Sequence, residues 1–209
     1  MFSIFFFILF VFNVFCSYKT DYYVDKAVMN YYIKNGFTTE RLTANLTTKK
    51  DFNDIWVNFL DKEDMSLYDQ IDNWPTTKDE VLKYLQKQFR NDSFYFTIRL
   101  KDSVKHEAIG QLNFKFYREG VLTLSFWIAK NHRRKGYIKE IGFKFIEELF
   151  YKSKRLKSIE LYVDDMNIAS RAFVKSLFNY LESRHECDIE VIPASDKSDV
   201  IFFYYLHKK

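Results

Sequence analysis

The chain reads as an α/β protein: a mixed, mostly antiparallel central sheet flanked by helices. Three observations predict this. Apolar residues alternate with polar ones over several short stretches, they recur at helical spacing over others, and the two patterns interleave along the chain. The 209 residues leave room for one domain of ordinary size and a short leader.

The first strand is expected at residues 41–47, where Leu42, Ala44 and Leu46 alternate with polar neighbours. From Asp51 a helix carries Phe52, Ile55, Trp56, Phe59 and Leu60 on one face. After the break at Trp74-Pro75, Thr77 and Glu80 have the spacing of a capping box. It opens a second helix with Val81, Leu82, Leu85 and Phe89 inward. Three strands at 94–100, 108–116 and 122–129 follow with short turns between them, which favours antiparallel neighbours. A helix over 135–151 buries Ile138, Ile141, Phe145 and Leu149. Next come a strand at 158–163, a helix over 167–180 burying Phe173, Val174 and Leu177, and two strands at 189–192 and 200–206.

Ahead of these elements, residues 2–15 form an uncharged, nearly continuous apolar run interrupted at Asn13. It is shorter than the roughly 20 residues of a membrane-spanning helix and has the length of a signal-peptide core. Residues 1–17 are therefore expected to be a leader with possible membrane contact, 18–36 a polar, Tyr-rich linker ending at the Asn35-Gly36 turn, and 37–209 the folded domain. A cleaved signal, an anchor and an uncleaved extension all fit the run. Localisation is correspondingly cytoplasmic, or membrane-anchored or secretory if the leader acts as a signal.

Composition narrows the classes. The net charge of +4 does not call for nucleic acid, although 20% of residues are aromatic. Cys16 lies in the leader and Cys187 near the end, so neither a disulfide framework nor a cysteine-based zinc site is expected. The four histidines, His106, His132, His185 and His207, lack metal-ligand spacing. No metal is expected.

Residues 125–140, SFWIAKNHRRKGYIKE, carry the chemical signal. A strand ends near Ala129, and a basic loop leads straight into a helix. The first-turn N–H groups of such a helix, at its positive dipole end, bind anions. Arg133, Arg134 and Lys135 add charge, and Gly136 lacks a Cβ that would hold a ligand off the backbone. A solvated basic loop is the plain alternative; position between an aromatic-rich strand and an amphipathic helix favours a diphosphate cradle.

Arg133-Arg134-Lys135-Gly136-Tyr137-Ile138 resembles the R/Q-x-x-G-x-G/A signature of the GNAT acetyltransferases, and its flanks look like their Rim-type branch. Thr39-Glu40-Arg41-Leu42 resembles the TERL that opens that branch. Asn167-Ile168-Ala169-Ser170 resembles the N-x-x-S at the start of the helix after the fifth strand. The resemblance covers residues 37–207. It implies a GNAT-like fold and N-acetyl transfer from acetyl-CoA to a primary amine by direct transfer in a ternary complex. The amine would be a small molecule, a polyamine or a protein N-terminus. It also implies that the backbone of Arg134, Lys135, Gly136, Tyr137, Ile138 and Lys139, helped by Arg133, holds the diphosphate. The strand edge at Trp127, Ile128 and Ala129 would pair with pantetheine, Asn167 would hydrogen-bond it, and Ser170 would be catalytic, protonating the departing thiolate.

This chain departs from the pattern at Ile138 (usually Gly or Ala), at Thr123 (an acid in many relatives), at Val174 (a tyrosine in some) and at Phe178-Asn179 (Gly-Phe). The base has no single candidate among His106, Glu107, Asp164 and Asp165. Two rival readings remain: a catalytically inactive acyl-CoA-binding or interaction module, and a secreted or membrane-tethered interaction protein.

Overall fold

The computed structural model describes residues 26–59, 77–80, 83, 93–164, 167–184, 187–193 and 201–208. The expected leader and most of the second expected helix, Val81, Leu82, Leu85 and Phe89 included, lie outside the described residues. Among the described residues, no helix is long and apolar enough to cross a membrane.

In chain order the elements are α1 (Lys26–Asn35), β1 (Phe37–Thr38), β2 (Leu42–Leu46), a 3-10 turn (Lys49–Asp51), α2 (Phe52–Phe59), β3 (Ser93–Leu100), β4 (Ala108–Arg118) and β5 (Val121–Ile128). A second 3-10 turn (Lys130–His132), α3 (Tyr137–Lys152), β6 (Ser158–Asp164), α4 (Ile168–Arg184), β7 (Cys187–Pro193) and β8 (Ile201–Lys208) follow. The eight strands form one sheet in the order β1-β2-β3-β4-β5-β6-β8-β7. Each neighbouring pair is antiparallel except β5 with β6, whose connection passes through α3. That is the mixed, mostly antiparallel sheet expected from the sequence. Each strand expected from the alternation is present within two residues of its expected bounds.

One stretch departs from its expected character. Within residues 18–36, read as polar linker, Lys26–Asn35 is a helix whose Tyr32 is only 1% exposed. Its amphipathic pattern is short and rests on tyrosines, whose hydroxyls disguise an apolar face. The two-residue β1 was equally invisible, being too short for any alternation.

The capping box forms as its spacing requires. The Thr77 N–H donates to Glu80 Oε2 at 3.1 Å, and the Glu80 N–H donates to Thr77 Oγ1 at 3.3 Å. Residues 78–80 are helical.

Strand alternation sorts β4 into two faces. Leu112, Phe114 and Phe116 join the main core with Ile141, Phe145 and Leu149 of α3 and Val174, Leu177 and Phe178 of α4. Phe145 is fully buried, its ring 4.4 Å from Phe37, 4.7 Å from Phe114 and 6.0 Å from Tyr32. The phenylalanine-rich composition thus serves as aromatic packing between helix and sheet. Gln111, Asn113 and Lys115 point to the opposite face. There α2 packs on β4, with Phe52 and Ile55 buried outside the main cluster.

Three glutamates on α3 fasten it to its surroundings. Glu140 reaches the β1–β2 turn, Glu147 accepts from Tyr180 of α4 at 3.0 Å, and Glu148 accepts from Tyr32 of α1 at 2.7 Å. Lys152 also donates to Glu148 at 3.0 Å. Burial pushes the Glu148 carboxyl up, but the hydrogen bonds from Tyr32 and Lys152 and the nearby lysine charges outweigh it. Its pKa is therefore held below the ordinary value.

Because the folded form has the lower pKa, the Glu148 contribution to stability is complete above the ordinary glutamate value of 4.5. It is lost as pH falls through the depressed folded value. Urea midpoints measured across that acid range should fall less steeply for Glu148→Gln than for the parent. Phe145→Ala should cost about 3–5 kcal/mol of unfolding free energy, read by the same titration at neutral pH.

Candidate active site

The opening that could receive a ligand begins where β5 and β6 stop pairing. Their parallel ladder comprises Val121 with Ser158, Leu122 with Ile159 and Thr123 with Glu160. Beyond Thr123, β5 stays paired with β4 as far as Ile128 opposite Gly110, while β6 pairs with β8 as far as Asp164. The two parallel strands therefore diverge toward their C-terminal ends, leaving one edge of β5 unpaired. The helices that follow them, α3 and α4, start at that same end. The gap between these strands lies at the C-terminal ends of a parallel pair, where such sheets commonly bind ligands.

Backbone alternation along β5 selects which groups face the gap. The Ala129 N–H donates to Ile109 O at 2.9 Å, and the Trp127 carbonyl lies toward Gly110. Ile128 and, by the same alternation, Phe126 therefore turn their backbone groups to the open edge. Of the expected edge residues Trp127, Ile128 and Ala129, only Ile128 presents its backbone there. Its carbonyl accepts from Arg133 Nε at 2.9 Å, which gives Arg133 a structural job at the rim. Trp127 instead donates from its indole to Gln111 Oε1 at 3.1 Å, and Gln111 donates to Thr47 at 3.2 Å. This chain of buried and half-buried polar groups fixes the end of β5 from the α2 face.

The loop between β5 and α3 is exposed at Arg133, Arg134, Lys135 and Gly136. Its helix starts at Tyr137, two residues later than the pattern suggested, because Gly136 caps it in the left-handed conformation at φ 78°. Arg134 also has positive φ, 60°. These turns leave the N–H groups of Arg134, Lys135, Gly136, Tyr137, Ile138 and Lys139 without an acceptor among the described residues. The first α3 bond here is Glu140 N–H to Gly136 O at 3.0 Å. Six unpaired amides at the positive end of a 16-residue helix make an anion-binding surface.

Among protein atoms a Cβ at Gly136 would meet only Arg41 Nη2, at 3.6 Å, which leaves the space beside the backbone open. The positive φ of 78° favours glycine there as well. Ile138, where the signature has a small residue, packs half-buried against the core and leaves its amide free. Lys139 lies over the Phe143 ring at 5.3 Å.

The TERL residues, quoted in the sequence only as a resemblance, bind this loop. One Glu140 oxygen accepts from the Thr39 hydroxyl and the Arg41 N–H (3.0 Å), and the other accepts from Arg41 Nε at 2.6 Å. Arg41 Nη1 donates to Lys135 O at 3.1 Å, and its guanidinium stacks 4.7 Å from the Tyr137 ring. Burial raises the Glu140 pKa, but these donors and the Arg41 charge outweigh it and hold the carboxyl below its usual range. No pattern local to either segment relates them. They are 99 residues apart in sequence.

Asn167 precedes α4 and accepts through Oδ1 from the Ser170 N–H at 3.0 Å, an N-cap. The Ser170 hydroxyl, half-buried, has no partner among the described residues. Val174 and Phe178 are core residues, 0% and 1% exposed, and the Thr123 hydroxyl donates to Lys115 O at 3.2 Å. Among the candidate bases, His106 is exposed and Glu107 lies 3.9 Å from His132 Nε2. Asp165 lies outside the described residues, and among those described no three His, Cys, Asp or Glu side chains are grouped to hold a metal.

A diverging strand pair thus opens beside a loop whose unpaired amides suit an anion. The acetyltransferase (GNAT) domain model matches residues 41–177, more than half of the chain. The chain belongs to that family and is, as a member, an acyltransferase. No curated protein matches it by sequence. Its fold is similar to solved structures at low identity. Ribosomal-protein-S5-alanine acetyltransferase from Vibrio fischeri matches at 14% identity and TM-score 0.62, over 83% of this chain and 97% of that one. Spermidine N-acetyltransferase from Vibrio cholerae, in complex with CoA and spermine, matches at 16% and 0.58, over 79% and 95%. A GNAT-family acetyltransferase from Bacillus anthracis matches at 16% and 0.61, over 82% and 96%. These are the kinds of relative that the Rim-type resemblance implied.

Two glycines separate conformational from steric demands at this site. A Cβ at Gly110 would lie 2.4 Å from the Trp127 carbonyl oxygen, so Gly110→Ala must push β5 off β4. Gly136→Ala meets no such contact and should cost only about 1–2 kcal/mol for its left-handed backbone. Denaturant unfolding of both variants should show the larger loss at Gly110.

Proposed function

We propose that this protein is an N-acetyltransferase moving an acetyl group from acetyl-CoA to a primary amine by direct transfer. The acceptor is a small amine, a polyamine or a protein N-terminus. The observation that carries this reading is the set of six unpaired amides beside the open edge of β5. The residues suit the cofactor's chemistry: oriented N–H groups and Arg133, Arg134 and Lys135 for a diphosphate, and a free strand edge for an amide-bearing pantetheine arm. Phe126 and the Ile128 N–H would supply that edge, the Ile128 carbonyl being held by Arg133, and Asn167 retains its amide Nδ2 as a donor while Oδ1 caps α4.

Bound acetyl-CoA supplies an activated acyl carbon. The chain's own work is to hold the two reactants together and manage protons. The amine nitrogen bonds the acyl carbon, the C–S bond breaks, and the thiolate takes a proton. Ser170 is the proposed donor because its N–H is committed to Asn167 and its hydroxyl is not committed to a described partner. The proton released by the amine leaves through water, which also reprotonates the serine. Neither the leader nor the location enters this chemistry. We place the domain in the cytoplasm, where acetyl-CoA is made, unless residues 1–17 route it to a membrane or the secretory pathway. Sequencing the mature N-terminus distinguishes these.

A second reading is an acyl-CoA-binding module without turnover, favoured by the absence of ionisable side chains at Val174 and Thr123. Calorimetry with acetyl-CoA, followed by thiol release across a panel of amines, separates the two. Binding with turnover on at least one amine is expected; binding with none would favour the module, and no binding would overturn both. Ser170→Ala should reduce kcat by about 10²-fold or more with little change in acetyl-CoA affinity.

A further inference from the structure

We propose that Arg41 and Glu140 are positioning residues for the diphosphate loop, setting the orientation of the Lys135–Gly136 peptide. The inference rests on the CoA reading above and deepens it. A trans peptide points its C=O and its following N–H in opposite directions. Arg41 Nη1 holds the Lys135 carbonyl at 3.1 Å, so the Gly136 N–H, which has no backbone acceptor, is turned away from that nitrogen. Without that bond the peptide plane is free to rotate. Gly136 follows it and tolerates either sense of φ, so rotation meets little steric resistance on that side.

Arg41 can hold the carbonyl only because it is itself held. Glu140 takes its Nε at 2.6 Å and its backbone N–H at 3.0 Å, and takes the Thr39 hydroxyl as well. Thr39 Oγ1 also accepts the Leu42 N–H at 3.2 Å, which closes the β1–β2 turn around the pair. Lys101 donates to the Thr39 carbonyl from the far side. The planar guanidinium serves Glu140 and Lys135 at once, which a lysine ammonium on a flexible stem does not reproduce.

The pair's exposure argues against a role confined to stability. The Arg41 side chain is 47% exposed and that of Glu140 20%, so water screens the pair from the Arg41 side and weakens its contribution to folding. What the pair does hold is an exposed loop with two positive-φ residues and no apolar anchor between Arg133 and Gly136.

The test compares the parent with Arg41→Ala, Arg41→Lys and Glu140→Gln, using acetyl-CoA and S-acetyl-pantetheine, which lacks the diphosphate. Calorimetry should show acetyl-CoA affinity weakened on the order of tenfold or more in Arg41→Ala and Arg41→Lys. S-acetyl-pantetheine binding should stay unchanged, and thermal midpoints should hardly move. In turnover the loss should fall on KM for acetyl-CoA, with kcat retained at saturation. Glu140→Gln, which keeps an acceptor and loses the charge, should fall between parent and Arg41→Ala. Equal acetyl-CoA affinity in parent and Arg41→Ala would overturn the proposal while leaving the CoA reading intact. Parallel losses for both ligands, or a loss matched by the fall in thermal midpoint, would overturn it in favour of a plain structural role. A parent that binds no acetyl-CoA would sink the underlying reading instead. Should Arg41→Ala not fold, Arg41→Lys carries the comparison.

Discussion

The separation of two parallel strands after three paired residues is the constraint from which the rest of this structure follows. β5 and β6 share a ladder only from Val121 to Thr123. Had it continued, the β5 edge would be saturated and α3 and α4 would pack with their first turns closed together. Each strand instead keeps its other neighbour, β4 or β8, so the gap opens without unpairing either strand completely. Unpaired backbone in a sheet interior is costly unless something satisfies it. A bound strand-like ligand arm is one such partner, and solvent is the other.

Holding such a gap open needs rigidity on its flanks. On one side of the sheet, α3 is keyed into an aromatic core through Phe145 and tied to three neighbours by Glu140, Glu147 and Glu148. On the other side, Trp127, Gln111, Thr47 and Thr97 form a hydrogen-bonded row that fixes the end of β5. The loop that joins β5 to α3 carries less support within itself, such as the bond from Arg133 back to the Ile128 carbonyl. Its shape comes from positive φ at Arg134 and Gly136 and from Arg41 reaching across from the β1–β2 turn. The exposed Arg133, Arg134 and Lys135 then sit in the same loop as the unpaired amides, and Glu140 is paired with Arg41.

Much of the fold was legible because its elements advertise themselves by period. The 3.6-residue stripes of α3 and α4 and the alternation of β2 to β5 named core residues that are buried, among them Ile141, Phe145, Val174 and Leu177. The Thr77–Glu80 cap was legible for the same reason, since its two bonds are local. Helix α1 escaped because its buried face is a tyrosine, and β1 because two residues carry no period. At the site, the amide loop was readable from a strand running into a glycine and a helix. The positive φ at that glycine was not readable, because the fold around the loop sets its backbone conformation.

By itself the sequence determined most of the local content of this protein: where the helices and strands other than α1 and β1 lie, which faces they bury, and that a basic loop opens α3. Those properties depend on neighbours a few residues apart, and periodicity records them. Only the tertiary structure decided that β5 parts from β6, that Ile128 rather than Trp127 or Ala129 faces the gap, and that Arg41 governs a peptide almost a hundred residues away. Such relations arise from strand register and long-range hydrogen bonding, and no spacing along one chain encodes them in a form that can be read directly.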